Sequence, residues 1–104
     1  MGTLSGSNEI LARLFGSVAR ARILELLVSQ AGRAFYQREI MYETGLSLQP
    51  TQRELKNLVD LGIIKKRETT ERVYYEVDSL SPFFKPLREI FKSTQGRIQV
   101  QGRG

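Results

Sequence analysis

One stretch, TGLSLQPTQRELKNLVDLGIIKK from Thr44 to Lys66, constrains the fold more tightly than any other. Glycines stand at Gly45 and Gly62, and Pro50 lies between them. Proline fits the first turn of a helix, where backbone N–H groups have no intrahelical partner, and glycine ends helices because the left-handed conformation costs it nothing. The spacing predicts a helix that ends at Gly62. Its cap is either Ser47 or Gln49, since proline disfavours the helical region for the residue before it. Such a helix has two unlike faces. Thr51, Leu55 and Leu58 stand at i, i+4 and i+7 on one side, and Gln49, Gln52, Arg53 and Lys56 at i, i+3, i+4 and i+7 on another. The first face requires a core. The second is polar and long-armed.

The flanking sequence supplies that core. Asn8 is placed to cap a short helix bearing Ile10, Leu11, Leu14 and Phe15, ended by Gly16. Ser17 caps the next, VARARILELLVSQ, whose stripe is Ala19, Ile23, Leu26, Leu27 and Gln30, widened by Leu24, with Gly32 beyond its end. AFY (34–36) reads as a strand fragment, and QREIMYET as a short helix closed by Gly45. IIKKRE and RVYYEV form a hairpin, with Val73, Tyr75 and Val77 on one face and Tyr74 and Glu76 on the other. Its tip lacks the dipeptides of tight turns, so the loop exceeds two residues. A turn follows near Pro82, then a helix from about Pro86 to Thr94 with Leu87, Ile90 and Phe91 as its stripe and Phe83 and Phe84 just upstream. Residues 1–7 are expected to be disordered, residues 8–94 to form the domain, and residues 95–104, glycine-rich and without an acid, to be a flexible tail.

Composition removes several classes of function. The 104 residues suit one domain and include no cysteine and no histidine. Disulfides, zinc fingers, thiol nucleophiles and histidine-based triads are excluded together, along with the usual base that titrates near neutral pH. There is no apolar run of about 18 residues to span a membrane and no signal peptide. The expected location is the cytoplasm. Net charge is +5 with a pI of 9.9, which favours an anionic partner. The charge is spread along the chain, so only folding can gather it on one face. Gly16-Ser17 has a nucleotidyltransferase-like look, but no Asp-x-Asp follows to hold Mg²⁺. The pair reads as a helix stop and the next cap, and no catalytic residue, metal site or cofactor is expected.

Two helices joined by a short glycine-containing turn make a helix-turn-helix unit: REIMYET, then GLS, then QPTQRELKNLVDL. In such a unit the second helix enters the major groove of a DNA duplex. Glutamine pairs with adenine and arginine with guanine through two hydrogen bonds each, and Gln49, Gln52 and Arg53 are those types. Lys56 suits a phosphate. A polar outward face is the norm for any helix, so its context decides: the basic hairpin, with Lys65, Lys66, Arg67 and Arg72, adds a wing beside the helix. Leu48 fits either the core, which is favoured, or a thymine methyl. Arg20 and Arg22 make surface ion pairs, for instance with Glu25, or touch DNA. The DNA-binding set is Gln37, Arg38, Gln49, Thr51, Gln52, Arg53, Lys56, Arg67, Thr70 and Arg72.

The order SVARARILELL, FYQREIMYETGLS, RELKNLVDLGIIKKRE and RVYYEV resembles the ArsR-like winged helix-turn-helix regulators across residues 8–94. The resemblance implies a mainly helical α+β fold with a hairpin wing, double-stranded DNA as partner, and a homodimer on a palindromic operator joined through the terminal helices. It also implies, in many members, a cysteine-based metal sensor, from which this chain departs. Three helices and a wing nearly complete a core of this size. The apolar residues Ile10, Leu11, Leu14, Phe15, Phe83, Phe84, Leu87, Ile90 and Phe91 are therefore expected to form the dimer interface. Two other uses fit the same chain: a winged helix devoted to protein–protein contact, and a DNA-binding domain detached from a longer protein. No effector is identified.

Overall fold

In the computed structural model of the protein, the backbone is described for residues 7–103 and the side chains for residues 9–94. Five helices and three strands follow in the order α1 (Ser7–Phe15), α2 (Val18–Ser29), β1 (Phe35–Tyr36), α3 (Gln37–Thr44), α4 (Leu48–Asp60), β2 (Ile64–Glu68), β3 (Val73–Val77) and α5 (Phe84–Arg103). The fold is the expected mainly helical winged helix-turn-helix.

The central element is α2. Ser17 caps it, its Oγ accepting from the Arg20 N–H at 3.1 Å. Ala21, Ile23, Leu24, Leu27 and Val28 are buried, each large one contributing about 1.5–3 kcal/mol of burial. The expected stripe was narrower and rotated: Ala19 and Leu26 are half-buried and Gln30 is exposed. A helix enclosed by α1, α3, α4, α5 and β3 buries more than one side.

Local signals set most boundaries. Gly45 ends α3 with φ 73° and ψ 14°, its N–H bonded to Met41 O at 2.8 Å. At the other end Glu39 Oε1 accepts from the Tyr36 N–H at 2.9 Å, satisfying a donor the helix leaves open. Beyond α4, the Ile63 N–H reaches Leu58 O at 3.0 Å and the Gly62 N–H reaches Val59 O at 2.9 Å. This is the paired closure that places a left-handed glycine just past a helix.

The sheet is antiparallel in the order β1-β3-β2, with Phe35 opposite Tyr75, Tyr36 opposite Tyr74, and Ile64 through Glu68 opposite Val77 through Val73. The wing loop spans 69–72, held by Thr69 N–H to Arg72 O at 2.8 Å and by Thr69 Oγ1 accepting from the Arg72 N–H at 3.0 Å. It is longer than two residues, as its composition predicts.

The chain ends differ from expectation. Residues 1–6 lie outside the described residues, and α1 starts at Ser7, so Asn8 is within it. At the other end α5 begins at Phe84 and takes Pro86 into its first turn, where the missing N–H is not needed. It continues through the expected tail to Arg103. An isolated glycine costs a helix only about 1 kcal/mol, and a helix already anchored by packing extends at one hydrogen bond per residue.

The terminal helices also change the reading of the dimer surface. Leu11, Phe84, Leu87 and Phe91 are buried within the single chain, and the Phe15 and Phe91 rings meet at 6.1 Å. These four are core residues, because α1 and α5 close over α2 instead of standing away from it. Ile10, Phe15 and Ile90 are half-buried, while Leu14 and Phe83 remain exposed.

Candidate nucleic-acid interface

The sequence left the α4 cap open between Ser47 and Gln49, and the structure puts it at Ser47. Pro50 therefore falls in the first turn. The two faces then separate as their spacing requires. Thr51, Leu55 and Leu58 point inward with at most 1% exposure, whereas Gln49, Gln52, Arg53 and Lys56 are exposed. Lys56 Nζ pairs with Asp60 at 3.2 Å across one turn. Among the described residues, Gln49, Gln52 and Arg53 make no hydrogen bond or ion pair within the chain, so their donors and acceptors face solvent.

Two expectations about this helix need correction. Thr51 is fully buried, so it is not positioned to touch DNA; its Oγ1 donates to Ser47 O at 2.8 Å, which satisfies the hydroxyl inside the core. Leu48 is 47% exposed, at the outward start of the helix, and not in the core.

Arg20 and Arg22, half-buried and exposed respectively, reach the helix-turn-helix unit through their guanidinium groups. Arg20 Nε donates to Glu54 Oε2 at 2.8 Å and Nη2 to Oε1 at 3.3 Å, while Asn57 Nδ2 donates to the same carboxylate at 3.0 Å. The hydrogen bond to Glu54, and then its charge, raise the Arg20 pKa. Arg22 Nη1 donates to Thr44 O at 3.1 Å, at the carbonyl end of α3 where positive charge is favourable. Glu54 was missed in the sequence, although a position three residues beyond Thr51 and four before Leu58 lies on the flank of the buried stripe.

On the wing three of the four cations are engaged, and Lys65 is exposed. Arg67 pairs with Glu76 on the neighbouring strand, Lys66 with Glu68 at 3.6 Å, and the Arg72 guanidinium lies 4.6 Å over the Tyr36 ring. Thr70 is exposed in the loop. Tyr36 and Tyr74 stack at 4.7 Å with their hydroxyls 3.2 Å apart, joining β3 to the start of α3. That hydrogen bond, with burial second, raises the Tyr74 pKa. Gln37 is half-buried and Arg38 exposed at the start of α3. Gln37 shares an open groove of about 420 Å³ with Gln52, Lys56 and Lys66, between α4 and the wing. Arg38 and Arg72 line a second cleft of about 700 Å³ with Tyr36. The fold thus brings Gln37, Gln52 and Lys56 to one groove and Arg38 and Arg72 to another, while Gln49, Arg53, Arg67 and Thr70 line neither and Thr51 is buried.

Among the described residues, no cluster of acidic groups could hold a metal ion, and no helix is long and apolar enough to cross a membrane.

No protein-family model matches the chain, and no curated protein does. Solved structures do. Rv0081 of M. tuberculosis is 22% identical, with a TM-score of 0.62 over 92% of each chain. A mutant of ZitR from Lactococcus lactis is 18% identical, with a TM-score of 0.64 over 84% of this chain and 57% of that one. Sso10a-2, a DNA-binding protein from Sulfolobus solfataricus, is 19% identical, with a TM-score of 0.57 over 79% of this chain and 84% of that one. At these identities the likeness is one of fold. The capped α3–Gly45–α4 unit, the three-stranded wing and these neighbours together make the chain a winged helix-turn-helix protein.

Proposed function

We propose that the chain is a sequence-specific double-stranded-DNA-binding transcription regulator of the ArsR-like kind, acting as a homodimer on a palindromic operator and without thiolate metal sensing. The observation that carries this reading is the outward face of α4: Gln49, Gln52 and Arg53 are exposed and unpartnered, at the end of the helix that meets base edges in helix-turn-helix proteins. Lys56, Gln37, Arg38, Arg67, Thr70 and Arg72 supply the surrounding backbone contacts. The DNA-binding description of Sso10a-2, a protein of similar fold, supports the same reading.

One recognition helix reads few base pairs, and a two-fold pair of them reads half-sites about 34–36 Å apart. The pairing surface in this reading is the apolar rim left by the terminal helices: Leu14 and Phe83, flanked by Ile10, Phe15 and Ile90. Selection from a random duplex pool, followed by sedimentation equilibrium of the protein, tests both halves of the proposal. The expected result is a two-fold symmetric enriched site and a dimer at roughly micromolar concentration. A pool that yields no enriched sequence overturns the DNA reading; a monomer that binds a single half-site overturns the dimer alone.

A further inference from the structure

The α4 helix packs against α2, α3 and β2 through one face. Among the described residues, its buried positions are Thr51, Glu54, Leu55 and Leu58. Apolar contact is non-directional, so the leucines and the threonine hold the helix down without fixing its rotation as sharply as a directional bond does. Side-chain tips lie about 5–6 Å from a helix axis, so a roll of roughly 20° sweeps them through about 2 Å. A hydrogen bond to a base edge survives only within a window of about 0.5 Å. Base reading therefore needs a directional constraint on this helix.

The molecule has one. Arg20, on the central helix, presents two nitrogens of its guanidinium fork to both oxygens of Glu54, at 2.8 and 3.3 Å, and Asn57 closes the carboxylate's remaining side at 3.0 Å. The Glu54 side chain is 8% exposed and that of Arg20 38%, so the contact sits at the seam between α2 and α4. A fork on a carboxylate fixes orientation as well as distance. Buried ion pairs contribute little to stability, and apolar side chains of similar volume often replace them without loss. A stability role therefore leaves the geometry of this pair unexplained. We infer that Arg20 and Glu54 are positioning residues for sequence discrimination: they set the rotation of α4, and through it which base edges Gln49, Gln52 and Arg53 reach. The inference rests on the DNA reading above and deepens it. Arg22, two residues along α2, holds the end of α3 through Thr44 O, so one helix orients both members of the unit.

The test compares the wild type with the double variant Arg20→Met/Glu54→Leu on a selected duplex and a scrambled one. The expected variant has native helical circular dichroism and a urea midpoint equal to or above wild type. Its affinity for the scrambled duplex stays within about twofold, while affinity for the selected site falls about tenfold or more, the scale of one lost two-point base contact. An unchanged ratio of the two affinities, whether both stay the same or both fall equally, overturns the inference without touching the DNA reading. A wild type that enriches no sequence removes the DNA reading and this inference with it. Should the double variant lose its helical signal, Glu54→Gln keeps the volume and an acceptor oxygen. A selective loss of about threefold then supports the inference, reflecting the weaker neutral bond, and an unchanged ratio overturns it.

Discussion

Arg53 on the recognition helix and Arg67 on the wing are the same residue type in different states. Arg53 is exposed with no partner in the chain, whereas Arg67 is held by Glu76 on the adjacent strand. The contrast extends to several neighbours, though Lys56 on α4 pairs with Asp60 and Lys65 on the wing is exposed. Gln49 and Gln52 are unpartnered, while Lys66 pairs with Glu68 and Arg72 lies over Tyr36. A group that is already paired gains from a phosphate only the difference between two partners. An unpaired one gains the whole contact less its hydration. In the proposed function, α4 therefore carries discrimination, and the wing supplies weaker, salt-dependent affinity by exchanging one anion for another.

Removing the floor that both regions share has the largest expected effect. Leu58 is fully buried on the inner face of α4, four residues before Gly62 and the turn that leads into β2. Leu58→Ala is expected to cost about 2–5 kcal/mol of stability in urea unfolding. Affinity for every duplex falls with it, because recognition helix and wing lose their support together. A variant that loses discrimination yet keeps its stability would show that the two regions are not set by one core.

The comparison itself is tested next. Arg53→Ala is expected to lose about 1–3 kcal/mol on the selected site and little on a scrambled duplex. Arg67→Ala should instead weaken both duplexes alike and flatten the log–log salt dependence by about 0.9 per lost phosphate contact. Fluorescence anisotropy at several salt concentrations measures both quantities. Equal losses for Arg53→Ala on the two duplexes would erase the distinction between helix and wing.

A smaller effect sharpens the comparison. Glu76→Gln releases Arg67, and since an exposed ion pair is worth at most about 1 kcal/mol, affinity for all duplexes should rise by no more than about fivefold. The gain should shrink at high salt. A fall in affinity would mean that Glu76 orients Arg67 and does not restrain it. The smallest effect concerns Leu48, exposed at the start of α4. Replacing thymine by uracil removes one methyl group, worth about 0.8 kcal/mol or roughly fourfold if Leu48 covers it. The penalty should appear at one position of the selected half-site in the wild type and vanish in Leu48→Ala. A penalty that persists in the variant assigns the methyl to another side chain.

Much of the helix-turn-helix was legible because its signals are local. Ser17 accepts from the N–H three residues on, Gly45 and Gly62 take the left-handed turn that other residues avoid, and the spacing of Gln49, Gln52, Arg53 and Lys56 follows from the helical period. The alternation in RVYYEV set the faces of β3 only in part: Val77 is buried and Tyr75 packs on the core, but Val73, next to the wing loop, is exposed. The end of α5 escaped because Gly96 and Gly102 weigh against a helix locally, while the packing of Phe84, Leu87 and Phe91 starts one regardless.

What the sequence determined by itself was periodicity, capping, turn position and the chemistry of the outward face. Only the tertiary structure decided that Thr51 and Glu54 are buried, that Arg20 reaches across 34 residues to Glu54, that Leu48 faces out, and that Leu11, Phe84, Leu87 and Phe91 are used within one chain. The physical reason is the same in each case. Hydrogen bonds between near neighbours follow the backbone and can be read from spacing. An ion pair between distant helices depends on how those helices pack, and an apolar side chain shows that it must be covered but not by what, because the hydrophobic effect has no direction.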